Sequence, residues 1–310
     1  MGNQIGQYSS DAGTAVSLEP GDICIAASYQ EGEVDIRRNS GTGRVLVLDS
    51  ELNPKGALWT GEEGLVLGLA YAPDTATLYV SDASSQTVKR FSASGEALPP
   101  FPAMQGKPFG PISVADDGTV VIGEHIRGDK FPFIGGGAIY RFDAAGKQIG
   151  CYSADHDPGK FGFHGVTNMA LCEDDRVALY ISETGHRMMR YDLAADTQME
   201  DLFVLPAEGE RVTAGFSLLE DGTILLGHVY GVSLLSATGD ILKDYDIARE
   251  RGWAAVKATA DGRSFLAANF FTGRLEKRDI KTGDILAVLE TDMPYKLASI
   301  VEITDATGAL

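Results

Sequence analysis

Short apolar runs alternate with polar turns along the chain, and residues 164–205 show the pattern most clearly. The stretch contains four apolar runs, at 167–172, 178–182, 188–192 and 200–205. An acidic turn separates the first run from the second, and the polar corner 183–186 separates the second from the third. Runs of this length with turn residues between them are typical of antiparallel all-β structure. The stretch therefore predicts a four-stranded meander.

The pattern recurs along the chain, and its period predicts the architecture. The third run of the meander returns at 44–49, 87–91, 138–143, 187–192, 231–235 and 274–279. The starts of these runs are about 43 to 51 residues apart, close to the repeat length of propeller blades. The second run also has six copies, at 23–27, 78–81, 120–123, 179–182, 224–227 and 265–268, and an aspartate turn precedes five of them. The repeats predict an all-β, six-bladed β-propeller.

The first copy has no opening strand, whereas an extra strand, 296–303, follows the sixth copy. We expect this last strand to complete blade one and to close the ring, which removes open sheet edges. Residues 1–310 are then a single propeller domain with an N-terminal extension at 1–20. The alternative, a stack of hairpins or two sandwiches, fits the regular period poorly.

Segments 69–82 and 166–183 resemble NHL-repeat proteins and the SMP-30/gluconolactonase group, which includes lactonases, phosphotriesterase-like hydrolases and strictosidine-synthase-like proteins. The resemblance implies a site at the mouth of a central channel, often around one divalent cation. Asn168 matches an asparagine that ligates the metal in the group, although Met169 stands where glycine is usual. The equivalent positions in other copies are Gly68, Pro111, Gly215 and Ala255, so the group's complete ligand set is not reproduced.

The charge of the chain limits which classes of partner it can bind, and its cysteine content indicates the type of cellular compartment. The formal net charge of −18 and the pI near 4.6 argue against nucleic acid and anionic membrane surfaces as partners. The odd number of cysteines, Cys24, Cys151 and Cys172, favours a reducing compartment. No signal-peptide pattern or membrane-length apolar run is present, so we expect a cytoplasmic protein with a small-molecule substrate. The sequence leaves the oligomeric state open.

In a propeller the second strand of each blade ends on the face where the first strand begins. An ionisable or amide side chain stands directly after five of the six second runs, namely Asp82, Glu124, Glu183, His228 and Asn269. Three further histidines, His125, His164 and His186, fall close to these ends. The pattern predicts a functional face of carboxylates, imidazoles and an amide. The alternative is that residues such as Asp82 only stabilise turns.

This set of groups suits a divalent cation. Carboxylate and amide oxygens favour Ca²⁺ or Mg²⁺, and imidazole favours Zn²⁺ or Mn²⁺. The predicted metal ligands are Glu124, Asn168, Glu183 and His228, and no organic cofactor is expected. The predicted catalytic residues are His125, His164, His186 and His228, since imidazole transfers protons near neutral pH.

Three further side chains complete the predicted site. Lys257 lies in an innermost strand, where it faces the channel as a catalytic or carboxylate-binding group or extends to the rim. Phe131 and Phe133 stand between glycines in the loop 126–137 and, with Asp82 and Asn269, are assigned to a substrate pocket. The alternative for this loop is an insertion packed on its own blade.

Three functions remain open at this point. The first is a metal-assisted hydrolase of esters or lactones at the channel mouth. The second is a lyase, isomerase or cyclase that uses histidine and glutamate for acid–base chemistry. The third is a propeller that binds or scaffolds without catalysis.

Overall fold

The computed structural model describes residues 16–35, 41–103, 106–126, 135–157, 164–206, 211–247 and 251–305, which form six antiparallel sheets. The innermost strand of each sheet contacts the innermost strands of both neighbouring sheets, so the six sheets close into a ring. The predicted six-bladed β-propeller is therefore confirmed.

The blades follow one another along the chain. Blade 1 contains β1 (Ile23–Ala27), β2 (Gly41–Leu48), β3 (Pro54–Gly64) and the closing strand β26 (Leu297–Glu302). Blade 2 contains β4 (Val66–Ala72), a 3₁₀ turn (Pro73–Thr75), β5 (Thr77–Asp82), β6 (Thr87–Ser92) and β7 (Ala97–Phe101). Blade 3 contains β8 (Phe109–Val114), β9 (Val120–Ile126), β10 (Ile139–Phe142), β11 (Gln148–Tyr152) and the short β12 (His164–Gly165).

The second half of the ring repeats this order. Blade 4 contains β13 (Asn168–Cys172), β14 (Val177–Ile181), β15 (Arg187–Asp192), β16 (Thr197–Gln198) and β17 (Phe203–Val204). Blade 5 contains β18 (Thr213–Leu218), β19 (Ile224–His228), β20 (Gly231–Leu235) and β21 (Ile241–Asp244). Blade 6 contains β22 (Trp253–Ala258), β23 (Ser264–Asn269), β24 (Arg274–Asp279) and β25 (Ile285–Glu290).

The second strands are continuous apolar runs because both faces of a blade are buried. In β1, Ile23 and Ile25 pack in the core between blades 1 and 6, whereas Cys24 and Ala26 pack in the core between blades 1 and 2. All four side chains are inaccessible to solvent. Burial also raises the pKa of the Cys24 thiol. A continuous apolar run is therefore the pattern that this position requires.

The predicted closure of the ring is confirmed. Strand β26 pairs antiparallel with β1, with Ile23 opposite Glu302 and Cys24 opposite Val301. Within the predicted N-terminal extension, Val16 and Leu18 pack into the core between blades 1 and 2. The prediction of a single domain over 1–310 extends beyond the described residues.

The aspartate turns between the first and second strands have a local cause. Asp117 Oδ1 accepts hydrogen bonds from the main-chain N–H and the hydroxyl of Thr119, at 2.9 and 2.6 Å. Asp221 holds Thr223 in the same way at the same distances. These bonds close the turn between two strands, and they lower the pKa of both carboxyl groups.

Blade 4 departs from the predicted fourth strand at 200–205. Two short strands replace it: β16 pairs with the end of β15, and β17 pairs with its beginning. The side chain of Arg190 fills the interval, since its Nε donates to the Glu200 carbonyl at 3.0 Å.

Among the described residues no helix is long and apolar enough to cross a membrane.

Candidate functional site

The six innermost strands surround a central channel with a cavity of about 480 Å³. We call the end at which these strands begin the upper mouth, and the end at which they finish the lower mouth. Because the second strand of each blade runs antiparallel to the first, its last residue returns to the upper face. The second strands therefore end on the face where the first strands begin, as the sequence predicted.

A smaller cavity of about 60 Å³ lies at the upper mouth. It is lined by Leu65, Leu67, His125, Thr167, Glu183, Ala214, Ala254, Phe270, Tyr295, Lys296, Leu297 and Ala298. Three of these residues, Leu67, Thr167 and Ala298, also line the channel, so the two spaces adjoin. The volume suits a few water molecules or the reactive group of a larger molecule.

His125 is held at this cavity by the main chain of blade 3. Its N–H donates to the Pro108 carbonyl at 3.0 Å, and the residue lies opposite Gly165 in the β9–β12 pair. The imidazole occupies space that Gly110 leaves open, since a Cβ atom on Gly110 would lie 2.1 Å from Nε2 of His125. Glycine at position 110 is therefore needed for this position of the ring.

Glu183 lies in a tight turn directly after β14, and several bonds fix that turn. Thr184 has a positive φ of 60°, and its N–H donates to the Thr213 carbonyl at 2.7 Å. The Thr213 hydroxyl donates to the Ser182 carbonyl at 2.9 Å. On the other side of the turn, Asp157 Oδ2 accepts the N–H groups of His186 and Arg187. These bonds fix the main chain of the turn, and Glu183 lines the upper cavity.

Lys296 and Tyr295 were missed by the sequence reasoning, which assigned residues 296–303 only to ring closure. Tyr295 has a positive φ of 65°, and its N–H donates to the Phe270 carbonyl at 2.5 Å. The Tyr295 ring packs edge-on against Phe270 and Phe271. The neighbouring Lys296 is buried at 3% exposure. A lysine directly before an innermost strand was the signal, because that position faces the upper mouth.

The upper cavity thus gathers an imidazole, a carboxyl group and an amine, carried by His125, Glu183 and Lys296. They come from blade 3, blade 4 and the segment before the closing strand. Apolar side chains surround them, which strengthens electrostatic interactions with a bound molecule. The set can exchange protons with a substrate and can stabilise a developing negative charge.

Glu124, a predicted metal ligand, is engaged inside blade 3. Its Oε1 atom lies 3.1 Å from Nζ of Lys107, and Oε2 accepts hydrogen bonds from the Tyr140 hydroxyl at 3.2 Å and the Ala138 N–H at 3.3 Å. The side chain is fully buried. It does not line the cavity at the upper mouth.

Asp82 and Asn269, assigned from the sequence to a substrate pocket, hold turns. Asp82 Oδ1 accepts N–H groups from Leu65 and Ser84, both at 3.0 Å. Asn269 Oδ1 accepts the N–H groups of Phe271 and Thr272 at 3.0 and 3.1 Å. Both residues are buried, and the turn-stabilising alternative describes their contacts.

His228 lies away from the channel, in a groove of about 740 Å³ beside blade 5. Its Nε2 atom is 3.2 Å from the Ser233 hydroxyl, which donates to Asp244 Oδ1 at 2.6 Å. Burial lowers the pKa of His228 to about 4, and the charge of Arg211 acts in the same direction, whereas Asp244 opposes the shift. The imidazole is therefore neutral at neutral pH.

The remaining predicted residues lie in other places. The main chain of His164 pairs with Ile126, and that of His186 is bonded to Asp157; neither side chain lines the upper cavity. Asn168 lines the channel, and Lys257 lies at the lower mouth. Phe131 and Phe133 lie outside the described residues.

The residues present do not fit the predicted metal centre. Asn168 faces the channel, Glu183 the upper cavity and His228 a separate groove, while Glu124 is bonded to Lys107. Within the described part of the chain, no three His, Cys, Asp or Glu side chains come together as a metal site. Binding of Ca²⁺, Mg²⁺, Mn²⁺ or Zn²⁺ stays a prediction, and no step is derived from it.

No family model matches the chain, and no curated protein matches it in sequence. Solved structures resemble it at low identity. A chain of the nidogen/laminin complex is 11% identical, covers 92% of this chain and 100% of its own length, and has a TM-score of 0.61. Virginiamycin B lyase from Staphylococcus aureus is 13% identical, covers 75% and 71% of the two chains, and has a TM-score of 0.52.

A third structure is a catalytically inactive His-to-Ala variant of the same lyase with quinupristin. It is 13% identical, covers 75% of this chain and 72% of its own, and has a TM-score of 0.51. Identities this low show a shared fold alone. By its own sheet topology and by these likenesses, the chain is a six-bladed β-propeller.

Proposed function

We propose that the protein is an enzyme that acts on a small organic molecule at the upper mouth through acid–base chemistry of the lyase type. The observation that carries this proposal is the meeting of His125, Glu183 and Lys296 in one cavity. These three groups come from distant parts of the chain, and each is held by a rigid turn or strand.

The three groups have complementary roles in an elimination. One of His125 and Glu183 removes a proton next to a carbonyl group, and the other donates a proton to the departing oxygen or nitrogen. The Lys296 ammonium group stabilises the negative charge that develops on the carbonyl oxygen. The rigid surroundings of Glu183 favour this role, because proton transfer requires groups at fixed positions.

Two of the structural neighbours support a lyase on this scaffold. One is virginiamycin B lyase, and the other is its catalytically inactive His-to-Ala variant with quinupristin. A histidine is thus needed for activity in that protein. We assign the comparable need in this chain to His125, on the basis of its place in the upper cavity.

Hydrolysis of an ester or lactone is the second candidate, because the same imidazole and carboxyl group can activate a water molecule. The metal-assisted form of this reaction has less support, since the predicted ligands lie apart. A propeller that binds a small molecule without catalysis is the outcome if turnover is absent.

The test is a panel of quinupristin, lactones and aryl esters, with mass spectrometry of the products formed in water enriched in ¹⁸O. Elimination leaves products without ¹⁸O, whereas hydrolysis introduces it. For the substrate found, His125→Ala and Glu183→Gln should each lower kcat by about 10²–10⁴-fold. Glu200→Gln, which alters an exposed glutamate, and Lys147→Met should leave kcat unchanged.

Two results would contradict the proposal. One is the absence of turnover with every member of the panel. The other is turnover that His125→Ala and Glu183→Gln leave intact while both variants keep the wild-type melting temperature. Either result favours a binding function or a site elsewhere on the propeller.

A further inference from the structure

The lower mouth has a pocket of its own, about 490 Å³ in volume. Its lining includes Tyr71, Ser217, Glu220, Lys257, Glu302 and Thr304. None of these residues lines the upper cavity. The pocket adjoins the channel, with which it shares Tyr71, Ser217, Glu220 and Lys257, and it lies at the opposite end from the upper cavity.

Lys257 is the one lysine among the described residues that line this pocket. It is half-buried near the end of β22 and is flanked in the chain by Val256 and Ala258. Among the described residues it has no hydrogen bond or ion pair. Other lysines do have partners: Lys55 pairs with Asp22 at 2.6 Å, and Lys243 donates to the Lys281 carbonyl at 2.8 Å.

The surroundings shift the protonation of Lys257 and Glu302. Burial lowers the pKa of Lys257, and the charge of Glu302 opposes that effect. Burial raises the pKa of Glu302, and the hydrogen bond from the Ala260 N–H opposes it. The uncharged fraction of Lys257 is therefore larger than that of an exposed lysine. The uncharged amine is the nucleophilic form of the side chain.

We propose that the lower mouth binds a small, uncharged, hydroxylated aldehyde that condenses with Lys257. The lone pair on Nζ attacks the carbonyl carbon, and the carbonyl oxygen becomes the hydroxyl of a carbinolamine after proton transfer from nitrogen. The hydroxyl then takes a proton from a carboxyl group, the C–O bond breaks and water leaves, so that a protonated imine (iminium) and a carboxylate remain. The neutral imine forms when the iminium N–H proton returns to that carboxylate. Glu302 is the nearby carboxyl group that can supply the proton to the hydroxyl. The step requires no oxidant or reductant.

The lining of the pocket selects the class of aldehyde. Glu220, Asp221 and Glu302 outnumber the single cation Lys257 among the described lining residues, so they disfavour an anionic ligand such as a 2-oxo acid. Carboxylates accept hydrogen bonds from hydroxyl groups, and the Tyr71 hydroxyl offers a further partner. A neutral polyhydroxy aldehyde matches both properties.

Reductive trapping tests this proposal on the unmodified protein. The probe is glyceraldehyde with sodium cyanoborohydride near neutral pH, and peptide mass spectrometry follows each lysine separately. Lys257 should be labelled at least about tenfold faster than Lys147 and Lys281, and its labelling rate should saturate with aldehyde concentration. Labelling of the two exposed lysines should rise linearly.

Matched variants and a second probe sharpen the result. Lys257→Met should abolish the saturating component, whereas Lys281→Met should leave it unchanged. His125→Ala should also leave it unchanged, which separates this site from the upper cavity. Glyoxylate, an anionic aldehyde, should label Lys257 more slowly than glyceraldehyde does. Equal labelling of all lysines, a linear rate at Lys257, or faster labelling by glyoxylate would overturn the proposal.

Discussion

Acid should destabilise the folded protein through His228. The neutral imidazole fits its hydrogen bonds: Nδ1 accepts the Tyr230 N–H at 3.4 Å, which leaves Nε2 to donate to the Ser233 hydroxyl at 3.2 Å. A second proton on Nδ1 would face that N–H group, and the new charge would lie near Arg211. Asp244 is the carboxylate that opposes these effects.

The size of the effect follows from the pKa of His228, which is about 4 in the folded protein against a usual value of 6.5. Between these values the unfolded chain binds the proton and the folded chain does not, so stability falls as the pH drops through this window. At about 1.4 kcal/mol per unit, the loss reaches about 3 kcal/mol near pH 4 and is absent above about pH 6.5.

Urea unfolding of the wild type and of His228→Gln at a series of pH values measures this contribution. Glutamine keeps a donor for Ser233 and does not titrate, so the variant should lose about 3 kcal/mol less than the wild type between about pH 7 and pH 4. Arg211→Met should raise the pKa of His228 and reduce the loss. Equal losses of stability by His228→Gln and the wild type over this range would show that His228 is not the source of the effect.

Three other predictions follow from packing. Asp292→Ala should lower the free energy of unfolding by about 3–5 kcal/mol, because it leaves the buried Arg44 guanidinium without the carboxylate that it contacts at 2.8 Å. A change below about 1 kcal/mol in urea unfolding would contradict this prediction. Gly110→Ala should lower the free energy of unfolding by about 1–3 kcal/mol, because the new methyl group displaces the His125 ring. In the His125→Ala background the same substitution should cost much less, whereas additive losses in the double-mutant cycle would show that the ring is not displaced. Deletion of residues 296–310 should abolish the cooperative thermal transition in circular dichroism because it removes β26; a truncated chain with the wild-type melting temperature would disprove the role of closure.

The fold was predictable because its determinants are local and repeated. The second strand of each blade is buried on both faces, as Ile23 and Cys24 show, so it must be a short, continuous apolar run. The aspartate turns also follow from a residue and its near neighbours, as in Asp117 with Thr119. The split fourth strand of blade 4 was not predictable, since it depends on the contact of Arg190 with Glu200.

For the candidate site, the sequence predicted a face of the propeller but not which of its polar residues line the upper cavity. Side-chain direction decided which polar residues reach the cavity: Glu183 lines it, whereas Glu124 at the equivalent position in blade 3 is bonded to Lys107. That partner is distant in sequence and leaves no local signal. The end of the channel at which Lys257 lies could have been predicted, because late residues of an innermost strand approach the lower mouth.

Ring closure also sets the order of events during synthesis. Strand β1 leaves the ribosome before the other described strands, whereas its partner β26 leaves after all of them. Until then the β26-facing edge of β1 is unpaired, and the apolar side chains of blades 1 and 6 lack part of their shared core. Contacts between residues this far apart in sequence form slowly. The ring therefore cannot close before β26 is released, and the edge of blade 1 that β26 covers stays accessible to chaperones until then.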